Sequence, residues 1–272
     1  MTVASQLVDV ASASSLFGTP SNYREKATMW RVFSTTVIHG FLPAGRIFRW
    51  FALNLPMDLL TGSSEFTSDI DIVSRLRPYN GQWTYKTWEV KVSLICKDGS
   101  ARSLKRGKVR DTVKQLKAYR AFGSPEVALL DVYVCESGYL SRHRFPPDEV
   151  VQAIRAKQDA LVQFGFGYQI LPIEYRDGGD MDVGLRLLRG TRNNMPFNPA
   201  FDSLPCTPGE VREPFTRFAK RIGDFFEAER YEPKHKCFRQ IVFCRECRTL
   251  GLIHTRSRSS CPHCGVDLIV QS

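Results

Sequence analysis

Residues 66–76 read FTSDIDIVSRL, and residues 83–95 read WTYKTWEVKVSLI. Each stretch alternates apolar with polar residues, which predicts a β-strand that buries one of its faces. The segment PYNG at 78–81 lies between them and favours a turn, because proline, asparagine and glycine adopt the backbone angles that turns need. The two strands are therefore predicted to pair in antiparallel orientation.

The elements on either side of this pair extend it into an α/β fold. Predicted helices cover 23–38, 109–122, 147–164 and 208–230, and further predicted strands cover 46–55, 127–135 and 168–175. Three strands followed by alternating helices and strands predict a mixed central sheet flanked by helices. The predicted domains are a leader at 1–20, an α/β domain at 21–175, a linker with a bridging helix at 176–235 and a zinc ribbon at 236–272.

The charge of the chain favours a polyanionic partner. Its 38 basic residues outnumber its 28 acidic ones, for a formal net charge of +10, and basic side chains bind nucleic acid by displacing counterions from phosphates. No stretch approaches the roughly 18 apolar residues of a membrane span, and the N-terminus lacks the pattern of a signal peptide. We therefore predict a cytoplasmic protein without a membrane segment, in which clustered cysteines hold metal instead of forming disulfides.

Two CxxC pairs near the C-terminus predict a structural zinc site. Cys244 and Cys247 are separated from Cys261 and Cys264 by thirteen residues, and two such turns on facing hairpins gather the four thiolates that tetrahedral zinc prefers. The neighbouring segments are β-prone, as a zinc ribbon requires: 238–243, 249–254 and 266–270. Four cysteines complete a closed site, so we predict no catalytic role for this zinc.

Carboxylates and a lysine are predicted to meet at one edge of the sheet. Asp69 and Asp71 lie two positions apart and so face the same side of their strand, as Glu89 and Lys91 do on the next strand. The alternate positions are apolar and are predicted to face the core: Ile70, Ile72, Val90 and Val92.

This pattern resembles a known family. Asp71, followed by Glu89-Val-Lys91, resembles the D…(D/E)xK signature of the PD-(D/E)XK nuclease superfamily. The next helix carries Gln115-Leu-Lys-Ala-Tyr119, which is similar to the QxxxY helix of the exonuclease-like branch. The order of predicted elements also matches that core over residues 22–135. The proline that usually precedes the first acid is absent, so Asp69 remains an alternative to Asp71.

The resemblance implies a restriction-endonuclease-like fold and a site that hydrolyses phosphodiester bonds with Mg²⁺ or Mn²⁺. Asp71 and Glu89 would be metal ligands, together with the backbone carbonyl of Val90. Lys91 would position the attacking water and stabilise the developing negative charge.

Further residues are predicted to support this site. Gln115 and Tyr119 lie one turn apart on one helical face and would hold the lysine or the phosphate. Glu25 would be the glutamate that the leading helix contributes. A basic run before the QxxxY helix is predicted to bind nucleic acid: Arg102, Lys105, Arg106, Lys108 and Arg110.

The function predicted from these features is a Mg²⁺-dependent DNA endonuclease. By analogy with the family, it would be a subunit of a larger nucleic-acid-processing system, with protein partners, in transposition, phage defence or repair. One alternative is a non-catalytic nucleic-acid-binding or assembly subunit that retains the nuclease fold. A second is an RNA-processing factor whose zinc ribbon grips RNA.

Overall fold

The computed structural model describes the following residues: 46–61, 65, 68–78, 84–103, 109–136, 138–143, 145–174, 213–228, 239–254, 260–261 and 263–266. Its strands are β1 (Arg46–Pro56), β2 (Asp69–Pro78), β3 (Thr84–Ile95), β4 (Ala101–Ser103), β5 (Glu126–Cys135), β6 (Gly167–Glu174), β7 (Arg239–Cys244) and β8 (Thr249–His254). Its helices are α1 (Met57–Thr61), α2 (Val109–Phe122), α3 (Tyr139–Arg142), α4 (Asp148–Val162) and α5 (Glu213–Ala228).

The chain divides into two compact units. The β1 unit, named after its first strand, comprises Pro43–Glu89, Lys114–Ala128 and Ser203–Ser272. The β6 unit comprises Met1–Leu42, Val90–Val113 and Leu129–Asp202. Residues of β3, α2 and β5 therefore belong partly to one unit and partly to the other.

The β1 unit contains a mixed sheet in the order β3-β2-β1-β7-β8. β2 pairs antiparallel with both of its neighbours, as the predicted turn at 78–81 requires, and its register places Ile72 opposite Trp88. The paired strands bury Ile70, Ile72 and Trp88 almost completely. The mixed sheet and its flanking helices confirm the predicted α/β class.

The hairpin that carries the first cysteine pair is part of this sheet. β7 pairs antiparallel with β8, and it also pairs in parallel with β1, with Phe51 opposite Gln240 and Leu53 opposite Val242. The boundary predicted at residue 236 stays a prediction. Backbone hydrogen bonds nevertheless join the first half of the predicted ribbon to β1, which precedes it by almost 200 residues.

Within the β1 unit, helix α5 packs on β3 and α2 through an aromatic face. Phe215 and Phe218 are buried, and both make edge contacts with Phe122 of α2, with ring centroids 5.9 and 5.4 Å apart. Tyr85 of β3 meets Phe215 edge-on as well. On the polar side of the helix, Arg221 donates a 3.0 Å hydrogen bond to the carbonyl of Leu60 in the last turn of α1.

The β6 unit contains most of β5, from Leu129 to Cys135. All ten residues of β5 are buried, and the sheet order places β5 between β6 and β3, while β4 pairs antiparallel with β3. A buried carboxylate requires partners, and Asp131 has Lys157 of α4 and the hydroxyl of Tyr168, each 2.6 Å away. No helix among the described residues is long and apolar enough to cross a membrane.

The long elements agree with the sequence pattern better than the short ones. Helix α2 spans the predicted range, whereas α1, β4 and α3 have only three to five residues and are too short to show a period. The predicted leader at 1–20, the helix at 23–38 and the linker at 176–207 lie outside the described residues, as does most of the strand at 266–270.

Candidate functional site

The four predicted zinc cysteines form one cluster. The sulfur atoms of Cys244, Cys247, Cys261 and Cys264 all lie within 4.8 Å of one another. Two of the Sγ–Sγ distances are 3.6 Å, between Cys244 and Cys264 and between Cys247 and Cys261. A zinc tetrahedron with Zn–S bonds of about 2.3 Å has edges of about 3.8 Å, so the spacing is compatible with a structural zinc site.

Local hydrogen bonds shape the second cysteine turn. The Cys261 amide donates to the Val266 carbonyl at 2.8 Å, and the Gly265 amide donates to the Cys261 carbonyl at 2.9 Å. The His263 amide points at the Cys261 sulfur, 3.4 Å away. A backbone hydrogen bond from Val266 lowers the pKa of the Cys264 thiol, but desolvation and the three neighbouring thiols outweigh it and raise the pKa to about 12. Such crowded thiols become stable thiolates when a cation neutralises them.

Both cysteine turns need a left-handed residue directly after the second cysteine. Arg248 has φ 55° and Gly265 has φ 76°. Glycine adopts this conformation without cost, whereas a residue with a Cβ pays about 1–2 kcal/mol. A Cβ at Gly265 would meet nothing within 4 Å, so the backbone alone determines the cost of a substitution there.

We expect Gly265→Ala to lower the free energy of unfolding by about 1–2 kcal/mol and Arg248→Gly to raise it by up to about 1 kcal/mol. Urea unfolding of the zinc-loaded chain measures both changes. Arg248→Ala is the matched control, since it removes the side chain but keeps the strained backbone angle. Equal stability of Gly265→Ala and wild type would contradict this account of the turns.

Three of the predicted catalytic side chains come together in the β1 unit. Glu89 of β3 is buried, with 2% of its surface exposed, and the hydroxyl of Tyr119 donates to its Oε2 at 2.6 Å. The same hydroxyl lies 3.0 Å from the backbone carbonyl of Asp69 on β2. The Asp71 carboxylate, two positions along β2, is also close enough to act electrostatically on Tyr119.

This arrangement raises the pKa of Tyr119. Burial raises it well above the ordinary value of 10.0, and the negative charges of Glu89 and then Asp71 raise it further, because both oppose a phenolate. A hydrogen bond from the Asp71 backbone acts in the opposite direction. Tyr119 therefore stays a neutral donor to Glu89, and the charges of two carboxylates act on its hydroxyl.

The end of α2 fixes the position of Tyr119. Gly123 follows the helix with φ 98°, a conformation that favours glycine and stops the helix. The Ser124 amide then donates to the Tyr119 carbonyl at 3.1 Å, and the Ser124 hydroxyl lies 2.8 Å from the hydroxyl of Thr87 on β3. Thr87 and Glu89 face the same side of β3, so two contacts hold the helix end against that strand.

We expect Tyr119→Phe to lower the free energy of unfolding by about 1–3 kcal/mol, because the variant leaves the buried Glu89 carboxylate without this donor. A tyrosine whose folded pKa is raised contributes stability that is fully present below about pH 10 and is lost as pH rises further. The difference between wild type and variant should therefore shrink above about pH 10. Unfolding curves at neutral and alkaline pH measure it, and a difference that grew with pH would contradict the assignment.

The remaining predicted site residues lie on β3, β4 and α2 or outside the described residues. Lys91 lies on β3 two residues after Glu89 and is half-buried, and the Val90 side chain between them is buried. Gln115 is half-buried on α2, one turn before Tyr119. The structure places Arg110 in the exposed first turn of α2 and Arg102 on β4. Glu25, Lys105, Arg106 and Lys108 lie outside the described residues.

The apolar side of the same two strands is buried as predicted. Ile70, Ile72, Val90 and Val92 have at most 3% of their surface exposed. Trp88 shares this side and donates its Nε1 proton to the Ser74 hydroxyl at 2.9 Å.

One contact at the site has no signal in the sequence. Arg245, which lies in the turn between Cys244 and Cys247, forms an ion pair with the Asp69 carboxylate. The two residues are 176 positions apart, and neither the cysteine spacing nor the strand pattern indicates that they meet. Asp69 is therefore engaged by a cation, whereas Asp71 acts on Tyr119.

Comparison with known proteins identifies no relative of the chain. No family model matches the chain, and no curated protein or solved structure matches it.

Proposed function

We propose that the chain is a metal-dependent nuclease that hydrolyses phosphodiester bonds, with the restriction-endonuclease-like core and zinc ribbon that its resemblance to the PD-(D/E)XK superfamily implies. One observation supports this most strongly. The carboxylate of Glu89 is buried and is held by Tyr119 of the QxxxY-like helix, and the negative charge of Asp71 acts on the same tyrosine. A structural role does not require two carboxylates to be gathered in this way, because like charges in a poorly solvated place repel each other.

The carboxylates suit a hard divalent cation. Asp71 and Glu89 supply oxygen ligands of the kind that Mg²⁺ and Mn²⁺ take in nuclease sites, and the carbonyl of Val90 would add a third. When bound, the cation would supply charge neutralisation at the phosphate and a more acidic attacking water. Tyr119 would hold Glu89 in one orientation by its 2.6 Å hydrogen bond, which leaves the carboxylate less freedom to turn from the metal.

Two further side chains would act on the substrate. Lys91 follows Glu89 on the same strand and would position the attacking water or stabilise charge on the phosphate. Gln115 lies one turn before Tyr119 on α2 and would contact the phosphate or the lysine. These two roles come from the resemblance.

The polymer and the biological setting are also part of the proposal. The net charge of +10 favours nucleic acid, and we propose DNA as the substrate. The run from Arg102 to Arg110 leads into the first turn of α2 and would bind the phosphate backbone. We further propose that the chain works in the cytoplasm as a subunit of a larger nucleic-acid-processing system.

A cleavage assay tests the proposal. Plasmid and single-stranded DNA are incubated with the full chain and Mg²⁺ or Mn²⁺, with Lys91→Ala beside wild type. We expect wild type to cut and Lys91→Ala to cut at least about 100-fold more slowly, while Lys97→Ala, an exposed lysine beyond the end of β3, cuts like wild type. Equal cutting by wild type and Lys91→Ala would remove the lysine from the mechanism.

The second candidate is a non-catalytic nucleic-acid-binding or assembly subunit. It is favoured by the protein partners that two of the acids already have: Tyr119 donates to Glu89, and Arg245 pairs with Asp69. A chain that binds DNA but cuts neither DNA nor RNA with any divalent cation would fit this reading.

Binding is expected to depend on the basic run in either case. Neutralising Lys105, Arg106 and Lys108 together should weaken DNA binding and lower the slope of log affinity against log salt by up to about one unit for each lost phosphate contact. Fluorescence anisotropy at several salt concentrations measures the slope. Arg155 is exposed on α4 and is not part of the run, so Arg155→Ala serves as the control. An unchanged slope in the triple variant would place the binding surface elsewhere.

A further inference from the structure

Arg245 is held in place by the structure around it. It directly follows Cys244, whose sulfur belongs to the four-cysteine cluster, and Cys244 is buried. Cys244 also ends β7, which is hydrogen-bonded to β1 on one side and to β8 on the other. The cysteine cluster and two strand pairings fix the backbone on the N-terminal side of Arg245. The position of its Cα is therefore well defined relative to the sheet.

Its partner Asp69 lies at the edge of the carboxylate site. Asp69 is the first residue of β2, and its backbone carbonyl lies 3.0 Å from the Tyr119 hydroxyl that binds Glu89. Asp71 lies two residues further along the same strand, so the side chains of Asp69 and Asp71 leave the same face about 7 Å apart. A third carboxylate therefore stands beside the two that the proposed function assigns to the metal.

The strength of the ion pair does not explain its presence. The side chains of Arg245 and Asp69 are 43% and 30% exposed, and exposed ion pairs contribute little to stability. The pair does have a consequence for the site, because it engages Asp69 and neutralises its charge. A carboxylate left without a cation at this position would compete with Asp71 for a divalent metal and would draw the metal toward the end of the strand.

Resting on the proposed function, we infer that Arg245 is a positioning residue that engages Asp69 and so leaves Asp71 and Glu89 as the acids that hold the catalytic metal. The cysteine turn thereby selects which of two equivalent-looking aspartates on β2 serves as a ligand. It does so from a residue that lies 176 positions away in the sequence.

Metal binding and cleavage are measured separately to test this role. The zinc-loaded full chain is titrated with Mn²⁺ and followed by electron paramagnetic resonance, and the same preparations are assayed for DNA cleavage. The variants are Arg245→Ala, Arg245→Lys, Asp69→Ala and the double variant Arg245→Ala/Asp69→Ala. Arg248→Ala is the matched control, because it removes an exposed arginine from the same turn.

The expected pattern separates affinity from rate. Arg245→Ala should bind Mn²⁺ on the order of three- to tenfold more tightly, because a nearby positive charge is lost and a carboxylate is released. It should also cut about tenfold or more slowly, because the metal is misplaced. Arg245→Lys should stay near wild type, and the double variant should regain the wild-type rate. Zinc content and thermal unfolding verify that each variant is folded.

The outcomes that overturn the inference differ from those that overturn the nuclease proposal. Unchanged Mn²⁺ affinity in Arg245→Ala rules out a role at the metal, and a slow rate that Asp69→Ala does not repair assigns Arg245 to the substrate instead. If the variants show the expected pattern of Mn²⁺ affinity but wild type cuts nothing, the assignment of the metal ligands stands, the metal has no catalytic role and the nuclease proposal fails. A wild type that binds no Mn²⁺ beyond its zinc contradicts both.

Discussion

Glu89→Gln and Asp71→Asn are each expected to slow DNA cleavage by more than about 100-fold, because each removes a charged ligand from a site that has few. Glutamine keeps an oxygen that can accept the Tyr119 hydrogen bond, so the loss would follow from charge and not from a displaced side chain. The rate under single-turnover conditions, with Mg²⁺ and with Mn²⁺, measures the effect.

Stability should move in the opposite direction from activity. The negative charges of Glu89 and Asp71 both act on Tyr119, and Glu89 is buried. Removing either charge should leave the free energy of unfolding unchanged or raise it, since functional sites often retain charge at the expense of stability. Urea unfolding without a divalent cation tests this. A large loss of stability in Glu89→Gln would mean that the carboxylate is structural.

Two further variants serve as controls for the loss of cleavage activity in Glu89→Gln and Asp71→Asn. Asp224→Asn removes an exposed carboxylate from α5 in the same compact unit and should cut like wild type. Asp69→Asn should lose less activity than Asp71→Asn, because Asp69 is paired with Arg245 and does not act on Tyr119 in the way that Asp71 does. If Asp69→Asn is the inactive variant and Asp71→Asn cuts normally, the assignment of the ligand is reversed.

The second large effect is expected from loss of zinc. Cys261→Ser/Cys264→Ser should carry no zinc, whereas wild type should carry about one zinc per chain, and the variant should unfold at a much lower temperature. Structural zinc binds small domains with about 10–16 kcal/mol, which is as large as the whole stability of a typical domain. Metal analysis by mass spectrometry and thermal unfolding measure the two changes.

Loss of zinc should also destabilise β1, which lies outside the β7–β8 hairpin. β7 pairs with β1 at Phe51–Leu53, so a hairpin that loses its metal removes hydrogen-bonded neighbours from that strand. Hydrogen exchange should therefore quicken in β1 as well as in β7. Protection of β1 that is identical with and without zinc would show that the sheet does not need the hairpin. Cys96→Ser, which changes a half-buried cysteine outside the cluster, is the control.

The candidate site could be predicted only in part. The sequence pattern places Asp71 and Glu89 on neighbouring strands and Tyr119 on the following helix, because strand and helix periods are local properties. The partner of Tyr119 is not a local property: the structure gives it Glu89, where the pattern allows a lysine or a phosphate. The roles of Lys91, Gln115 and Glu25 stay predictions.

The sequence by itself determined the features that short spacings encode. These are the four clustered cysteines, the alternation of β2 and β3 with its buried apolar side, and the full length of α2. Each depends on residues within one turn or one strand, so periodicity and spacing are sufficient.

Only the tertiary structure decided which distant elements meet. The parallel pairing of β7 with β1 and the ion pair of Arg245 with Asp69 join residues at least 176 positions apart. Such contacts depend on how the whole chain packs, and many partners are compatible with a basic turn and an acidic strand end. Packing of the whole chain therefore decides that Arg245 pairs with Asp69.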